Sequence, residues 1–368
     1  MPAERSEAID AFLASSGWGA AKRAPLPGDA STRRYERLAM GARIAMLMDQ
    51  PPGIETPAAP ASATPDERRA LGYNAVARLA GADCGRFVAA ANYLRGRGLS
   101  APEIYAADFK QGFVIIEDLG DGLFADVVTG GNELDLYRGA AEVLAVLHAD
   151  RAPALLPPDK DLNAYDETAM LAEVDLLTDW FMPVALGRAA AADEVAEHRA
   201  LWRAALASLK QDPVFVHRDY HAQNLLWLPG RAGVARVGLI DFQDAVAGSK
   251  AYDLISLVED ARRDVAPDVA EATTRHYLDA MRVQGMALDE AAYRGQMAVM
   301  AAQRNAKIAG IFARLHKRDG KARYLSLLPR VWGYLNRDLE HPAMSALKAW
   351  YDKTIPRAAR GAPSGASA

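Results

Sequence analysis

The nine residues VHRDYHAQN (216–224) hold two histidines, an arginine, an aspartate and an asparagine, and continue the apolar run Val214–Phe215–Val216. Asp219 and Asn224 stand five positions apart. A second acidic cluster, Asp241–Phe242–Gln243–Asp244, ends the apolar run Val237–Gly238–Leu239–Ile240. Taken alone, each stretch reads as a polar loop, and a lone aspartate at a strand end caps a turn. Taken together, they hold carboxylate and amide oxygens, the donors a hard ion such as Mg²⁺ favours. They also hold a carboxylate able to orient an acceptor hydroxyl and take its proton. A hairpin with Asn224 starting one strand and Asp241 ending the other brings these two together and leaves Asp219 to face an acceptor.

The flanking patterns are the elements that must position these groups. Residues 6–15 read as a short amphipathic helix. APLPGDAS (24–31), RRYERLAM (33–40) and ARIAMLMD (42–49) read as strands, and PEIYAAD (102–108) and GFVIIED (112–118) as two more. The proline-rich stretch 51–65 reads as a loop. Thr64–Pro65–Asp66–Glu67 starts a helix with a capping box that runs to about Ala80, and a second helix runs from about Arg86 to Leu94. Beyond Leu119–Gly120, apolar residues recur at three- and four-residue spacing near 133–149, 166–181, 191–210, 268–283, 288–316 and 320–337. Short β segments interrupt this pattern at 213–242. The fold class is therefore α+β: a small β-rich N-terminal lobe (1–118, with 53–82 read as an insertion), a larger helical lobe (119–353), and a small, polar tail (354–368) read as disordered.

The 368 residues are 51% hydrophobic and 24% charged, with a formal net charge of −4, so no excess of positive charge points to nucleic acid as a partner. Cys84 is the single cysteine, which excludes an intrachain disulfide and suits a reducing compartment. The charged N-terminal stretch lacks the apolar core of a signal peptide, and no run of about 18 apolar residues occurs. The expectation is a cytoplasmic protein with no membrane partner; oligomeric state is not legible.

The order H-R-D-x-x-x-x-N, strand, turn, strand, D-F resembles the catalytic and metal loops of kinases. HRDYHAQN and IDFQDAVAGSKAYDLISLVED are similar to motifs of the aminoglycoside phosphotransferase/choline kinase family, with its bilobal protein-kinase-like fold. Closer still is the resemblance to bacterial anomeric kinases of N-acetylmuramate and N-acetylglucosamine, which act in peptidoglycan recycling. GDASTRRYERL (28–38), the Met48–Asp49–Gln50–Pro51–Pro52 run, AEVDLLTDWFMP (172–183) and the stretch 301–335 carry that likeness, which covers most of residues 10–340. The resemblance implies ATP and Mg²⁺ as cofactors, Asp219 as catalytic base, and Asn224 and Asp241 as metal ligands. It further implies a phosphate-covering loop at 28–34, including Gly28, Asp29, Ala30 and Ser31, and a hinge at Glu117–Leu119 whose backbone meets adenine. Small residues at 28–31 let backbone amides approach an anion, although Gly-Asp is also a common bare turn.

One departure stands out. Kinases carry a lysine on the third strand to pair with phosphates, and Arg43–Asp49 has none. Arg33 or Arg34 is the candidate substitute; either is equally readable as a solvated strand residue.

An amino-sugar acceptor needs an aromatic platform and hydrogen-bonding groups. Trp180 and Phe181 offer the first and Glu173 the second, while Tyr220 and His221, beside the base, are candidates to touch the sugar. Aromatic residues at a helix end are also ordinary core. A substrate carboxylate would need a cation, and Arg304, Lys307 and Arg314 share one helical face, which also reads as a plain solvated basic face. Asp253 reads as a helix cap that anchors the catalytic loop, and Asp244 as either a neighbour of the metal or a turn residue. The alternatives are an aminoglycoside, choline or homoserine phosphotransferase, or a kinase-like binding module without turnover.

Overall fold

Leu38, Ala45, Leu47, Phe113 and Ile115 sit at alternate positions of their strands, so all point to one face of a pleated sheet. A computed structural model describes residues 3–27, 32–53, 55–209 and 212–361. It shows β1 (Lys22–Pro25), β2 (Arg34–Met40), β3 (Arg43–Asp49), β4 (Ile104–Asp108) and β5 (Phe113–Ile116) in one antiparallel sheet, ordered β1-β2-β3-β5-β4. Leu38 pairs with Ala45 and Leu47 with Ile115, so the apolar face is continuous. Helix Ala3–Ser15 covers it with Ile9, Phe12 and Leu13, and Trp18 closes the end. Burying each such side chain stabilises the layer by about 1.5–3 kcal/mol.

The chain divides into two compact units, and the division differs from a single cut after residue 118. The first unit takes residues up to Val128, then Pro153–Asn163 and Gln223–Val246. The second takes Thr129–Ala152, Ala164–Ala222 and the chain from Ala247 on. Asp219 therefore belongs to the second unit, and Asn224 and Asp241 to the first.

The second unit is built around helix Glu290–Asp319. Asp289 caps its start by accepting from Ala292 N–H, and Gly320, at φ +68°, stops it. Residues 299–306 are buried on every side, as expected for a helix at the centre of a bundle. Helices Glu167–Leu176, Ala251–Val258 and Leu328–Asp338 pack against it.

Three elements depart from the sequence pattern. The capping box at Thr64 and Glu67 forms, but the helix ends at Leu71 because Gly72 takes φ +101°; a separate turn, Tyr73–Val76, follows. The 166–181 helix widens into a π-helical turn over Leu177–Phe181. The tail is not structureless throughout: Arg357–Ala359 forms a 3₁₀ turn, and Arg360 bonds to Asn336 and Asp352. Of the strand expected at 24–31, only its first two residues fall within β1, and 28–31 lie outside the described residues. Among the described residues no helix is long and apolar enough to cross a membrane.

Candidate active site

In the second unit, the catalytic-loop motif leaves the buried strand Val214–Val216 and turns at once. Arg218 adopts φ +81°, a conformation non-glycine residues rarely take. Asp253, buried on helix Ala251–Val258, pins this turn. Its carboxylate accepts the backbone N–H of His217 at 2.7 Å and of Arg218 at 2.9 Å. Anchoring is thus its task, and the helix start carries no side-chain cap. Burial pushes the Asp253 carboxyl up to about 7, although both N–H donors pull it down.

The Arg218 guanidinium meets Glu173 and lies over the Tyr165 ring. Glu173 is a hub. It also accepts from the Tyr165 hydroxyl, from Gln303 Nε2 at 3.0 Å and from Lys307 Nζ at 3.1 Å. Gln303 and Lys307 are four residues apart on helix Glu290–Asp319 and so share a face. Burial alone would raise the Glu173 carboxyl, but Lys307 and Arg218 hold it below its usual range. This overturns the expectation that Glu173 accepts sugar hydroxyls, because its buried oxygens are already taken. Tyr220 changes role for the same reason: it is fully buried and its hydroxyl donates to the Ala140 carbonyl at 2.8 Å.

Asp219 keeps part of its surface open. Burial would raise its carboxyl, but nearby positive charge, Lys307 foremost and Arg218 with it, outweighs that and holds it below the ordinary carboxylate range. It is an anion at any physiological pH. His221 N–H donates to the Asp219 carbonyl at 3.1 Å. Burial lowers the His221 imidazole to about 4, so it is neutral, and its Nε2 lies 3.4 Å from Arg262 Nη1. Arg304 is buried and gives its Nη1 to the Glu259 carbonyl at 3.1 Å, which removes it as a ready partner for a substrate anion. Phe181 is core, 5.0 Å from the Trp332 ring between centroids, whereas Trp180 remains half-exposed.

In the first unit, Leu225–Trp227 pairs antiparallel with Val237–Leu239, and Ile240 N–H extends the ladder to the Asn224 carbonyl at 3.2 Å. The hairpin therefore delivers Asn224 and Asp241 to one end, as the sequence spacing requires. Asn224 Nδ2 lies 3.5 Å from Asp241 Oδ2. Asp241 takes φ +64°, a strained conformation of the kind that clusters at functional sites. Phe242 stacks on Phe87 at 4.8 Å between centroids, fixing the turn.

Arg33 Nη1 reaches Asp241 Oδ1 at 3.2 Å. Burial would lower the Arg33 guanidinium, but Tyr35, Asp241 and Asp244 raise it further, so its charge is permanent. Arg34, one residue on, is exposed. Asp244 accepts the Ala80 N–H at 2.6 Å, and Gln50 Nε2 donates to the Gly81 carbonyl at 2.6 Å. The 53–82 segment is thus tied at its end to the Asp241 turn. Glu117 pairs with Arg231 and Arg95, its backbone N–H donates to the Glu103 carbonyl, and Leu119 packs beside Gly238. Gly28, Asp29, Ala30 and Ser31 lie outside the described residues.

Residues 22–295 match the family model described as "Phosphotransferase enzyme family". The chain belongs to that family. It is 44% identical over 364 residues, 97% of this chain and 98% of the relative, to an N-acetylmuramate/N-acetylglucosamine kinase of Caulobacter vibrioides. It is 32% identical to the protein of that name from Pseudomonas aeruginosa, over 88% of this chain and 86% of the relative. Among solved structures, choline kinase LicA from Streptococcus pneumoniae has a similar fold, with TM-score 0.57 at 12% identity, covering 94% of this chain and all of that one. The phosphotransferase fold is protein-kinase-like, with its β-rich part first and its helical part after.

Lys307 and Arg262 carry weight the sequence did not assign them. Lys307 stood there only as one member of a basic helical face. Arg262 had a faint signal, in that it stands two residues past the LVED run of the second motif.

Proposed function

We propose that this phosphotransferase moves the γ-phosphoryl group of ATP, with Mg²⁺, to the anomeric hydroxyl of N-acetylmuramate, N-acetylglucosamine or both. The observation that carries the reading is Asp219: a partly open carboxylate on a pinned, strained turn, held ionised by surrounding cations. A loose phosphoryl-transfer transition state asks for positioning more than for a strong base, so a depressed carboxyl suits the task. Asp219 accepts the hydroxyl proton as the new O–P bond forms and ADP leaves. The names of the curated relatives support the choice of sugar. So does the charge around Asp219, since Lys307 and Arg218 oppose a polycationic aminoglycoside or cationic choline.

The residues present fit Mg²⁺. Asp241 supplies a carboxylate and Asn224 an amide oxygen, hard donors for an ion that takes few protein ligands and completes its shell with water and phosphate. When bound, that ion neutralises and orients phosphate oxygens. Arg33 is the permanent charge that stands in for the absent third-strand lysine, and Trp180 supplies a sugar platform. The backbone at Glu117–Leu119 and residues 28–31 would hold the nucleotide. Such a reaction belongs to cell-wall sugar recycling in the cytoplasm.

The test is ADP release over a panel of N-acetylmuramate, N-acetylglucosamine, an aminoglycoside, choline and homoserine, with phosphorus NMR of the product. Phosphate at C1 of an amino sugar is expected; turnover of only the antibiotic or choline sinks the sugar reading. Asp219→Asn should abolish turnover while keeping nucleotide binding, and Asp241→Ala should abolish metal-dependent nucleotide binding.

A further inference from the structure

We infer that Arg262 determines specificity for an acceptor that carries a carboxylate, pairing with the lactyl group of N-acetylmuramate that N-acetylglucosamine lacks. The inference rests on the amino-sugar reading and deepens it.

Arg262 lies four residues past helix Ala251–Val258, the helix whose Asp253 pins the catalytic loop. One short rigid element therefore fixes both the turn at Asp219 and the start of the Arg262 segment. Asp260, fully buried, accepts the Arg262 backbone N–H at 2.8 Å and sets the local turn. The side chain then runs to His221, with Nη1 3.4 Å from Nε2. A guanidinium only donates, so Nε2 accepts and the ring proton sits on Nδ1. The imidazole is neutral and therefore holds the guanidinium without repelling it. The guanidinium thus stands about one imidazole away from the backbone of the proposed base. In a pyranose bound by its C1 hydroxyl, the C3 substituent is likewise displaced from the reacting oxygen across the ring.

What singles out Arg262 is its pairing. Its neighbour Arg263 is paired with Glu133 at 2.7 Å, and Arg330 with Asp264. Arg304, the other guanidinium whose charge bears on His221, is spent on the Glu259 carbonyl. Arg262 is half-buried, and among the described residues no carboxylate lies within ion-pair distance of its guanidinium. Arginine's planar fork matches a carboxylate with two parallel hydrogen bonds. Partial burial makes such a pair stronger than one in open water.

The experiment measures kcat/KM for N-acetylmuramate, its methyl ester and N-acetylglucosamine, with the wild-type protein, Arg262→Gln and Arg262→Lys. The ratio of N-acetylmuramate to N-acetylglucosamine should fall about 10- to 100-fold in Arg262→Gln, the range for losing a charge-assisted bond. The loss should sit in KM, with Arg262→Lys recovering part of it. Wild-type protein should prefer the acid to its ester, and Arg262→Gln should treat them alike. Equal losses on both sugars would show a merely structural role and overturn the inference. So would equal rates for acid and ester in the wild type, an arm that stands even if Arg262→Gln does not fold. Turnover of N-acetylglucosamine without N-acetylmuramate overturns this inference alone. Turnover of neither sugar removes the functional reading, and the inference with it.

Discussion

Arg33 Nη1 lies 3.2 Å from Asp241 Oδ1, which couples the residue before β2 to the proposed metal ligand. Under the proposed function, the relationship answers the missing third-strand lysine. β3 offers only apolar side chains between Ile44 and Met48, and Asp49 at its end is paired with Arg5. A permanent positive charge reaches the Asp241 turn instead from the residue just before β2.

Arg33→Met should lower kcat/KM for ATP by about 10- to 100-fold, the loss expected when a buried charged hydrogen-bonding partner is removed. Arg34→Met, at an exposed position, should change it little. Steady-state kinetics with ATP as the varied substrate compares the two. A larger effect at 34 than at 33 would reject Arg33 as the substitute cation.

Lys307 holds Asp219 ionised, and its removal should show in the pH profile. With Lys307 present the Asp219 carboxyl lies below its usual range, so activity falls only when the pH drops through that depressed value. Lys307→Met removes the largest of the opposing charges. Arg218 remains, with the His217 and His221 rings also facing the carboxylate, and Asp253 lies near enough that the Asp219 charge raises it. The acid limb of kcat/KM should therefore move to higher pH, and Lys307→Arg should return it towards the wild-type position. An acid limb that stays in place while overall activity falls would mean that Lys307 only packs.

How far the sequence revealed this site follows from its physics. Hairpin geometry depends on local alternation, so the meeting of Asn224 and Asp241 was legible from two short apolar runs and the spacing between them. Which of Arg33 and Arg34 meets Asp241 was not, because it depends on where β2 begins in its register with β3. Glu173 misled for another reason. Its place one helical face from Trp180 suggested a sugar contact, but its partners Arg218, Gln303 and Lys307 lie 45 to 134 residues away in sequence. No local pattern tells a carboxylate open to substrate from one already saturated. Tyr220 failed likewise, its hydroxyl being consumed by Ala140. The single helix expected from Thr64 to Ala80 ignored Gly72, whose positive φ ends it.

Asp253→Ala should destabilise the second unit by about 2–6 kcal/mol, because it strips partners from two buried backbone N–H groups, each worth about 1–3 kcal/mol when left unsatisfied. Arg218 would also lose the support that keeps it at positive φ, so turnover should vanish with stability. Chemical denaturation compared with Asp253→Asn, which keeps one acceptor oxygen, separates the contributions. A full-length protein of unchanged stability would contradict the anchoring role.

Gly310 has a comparable role in packing. It faces Leu176 where the helix Glu167–Leu176 gives way to the π-helical turn, and a Cβ built at 310 would overlap the Leu176 backbone carbon and oxygen. Backbone cannot move aside as a flexible side chain can, so Gly310→Ala must push the two helices apart. Such overpacking costs about 1–3 kcal/mol, opposing the few tenths to 1 kcal/mol that alanine gains over glycine in a helix interior. The same separation would lengthen the Glu173–Lys307 contact three residues back on each side, and would tilt Trp180 in the adjacent turn. The expected outcome is a net loss of stability in denaturant together with a raised KM for the sugar. KM for ATP should hold, because Arg33, Asn224 and Asp241 belong to the other unit. If Gly310→Ala proved as stable as the wild type with its sugar KM unchanged, the close approach of these helices would not be what positions the acceptor.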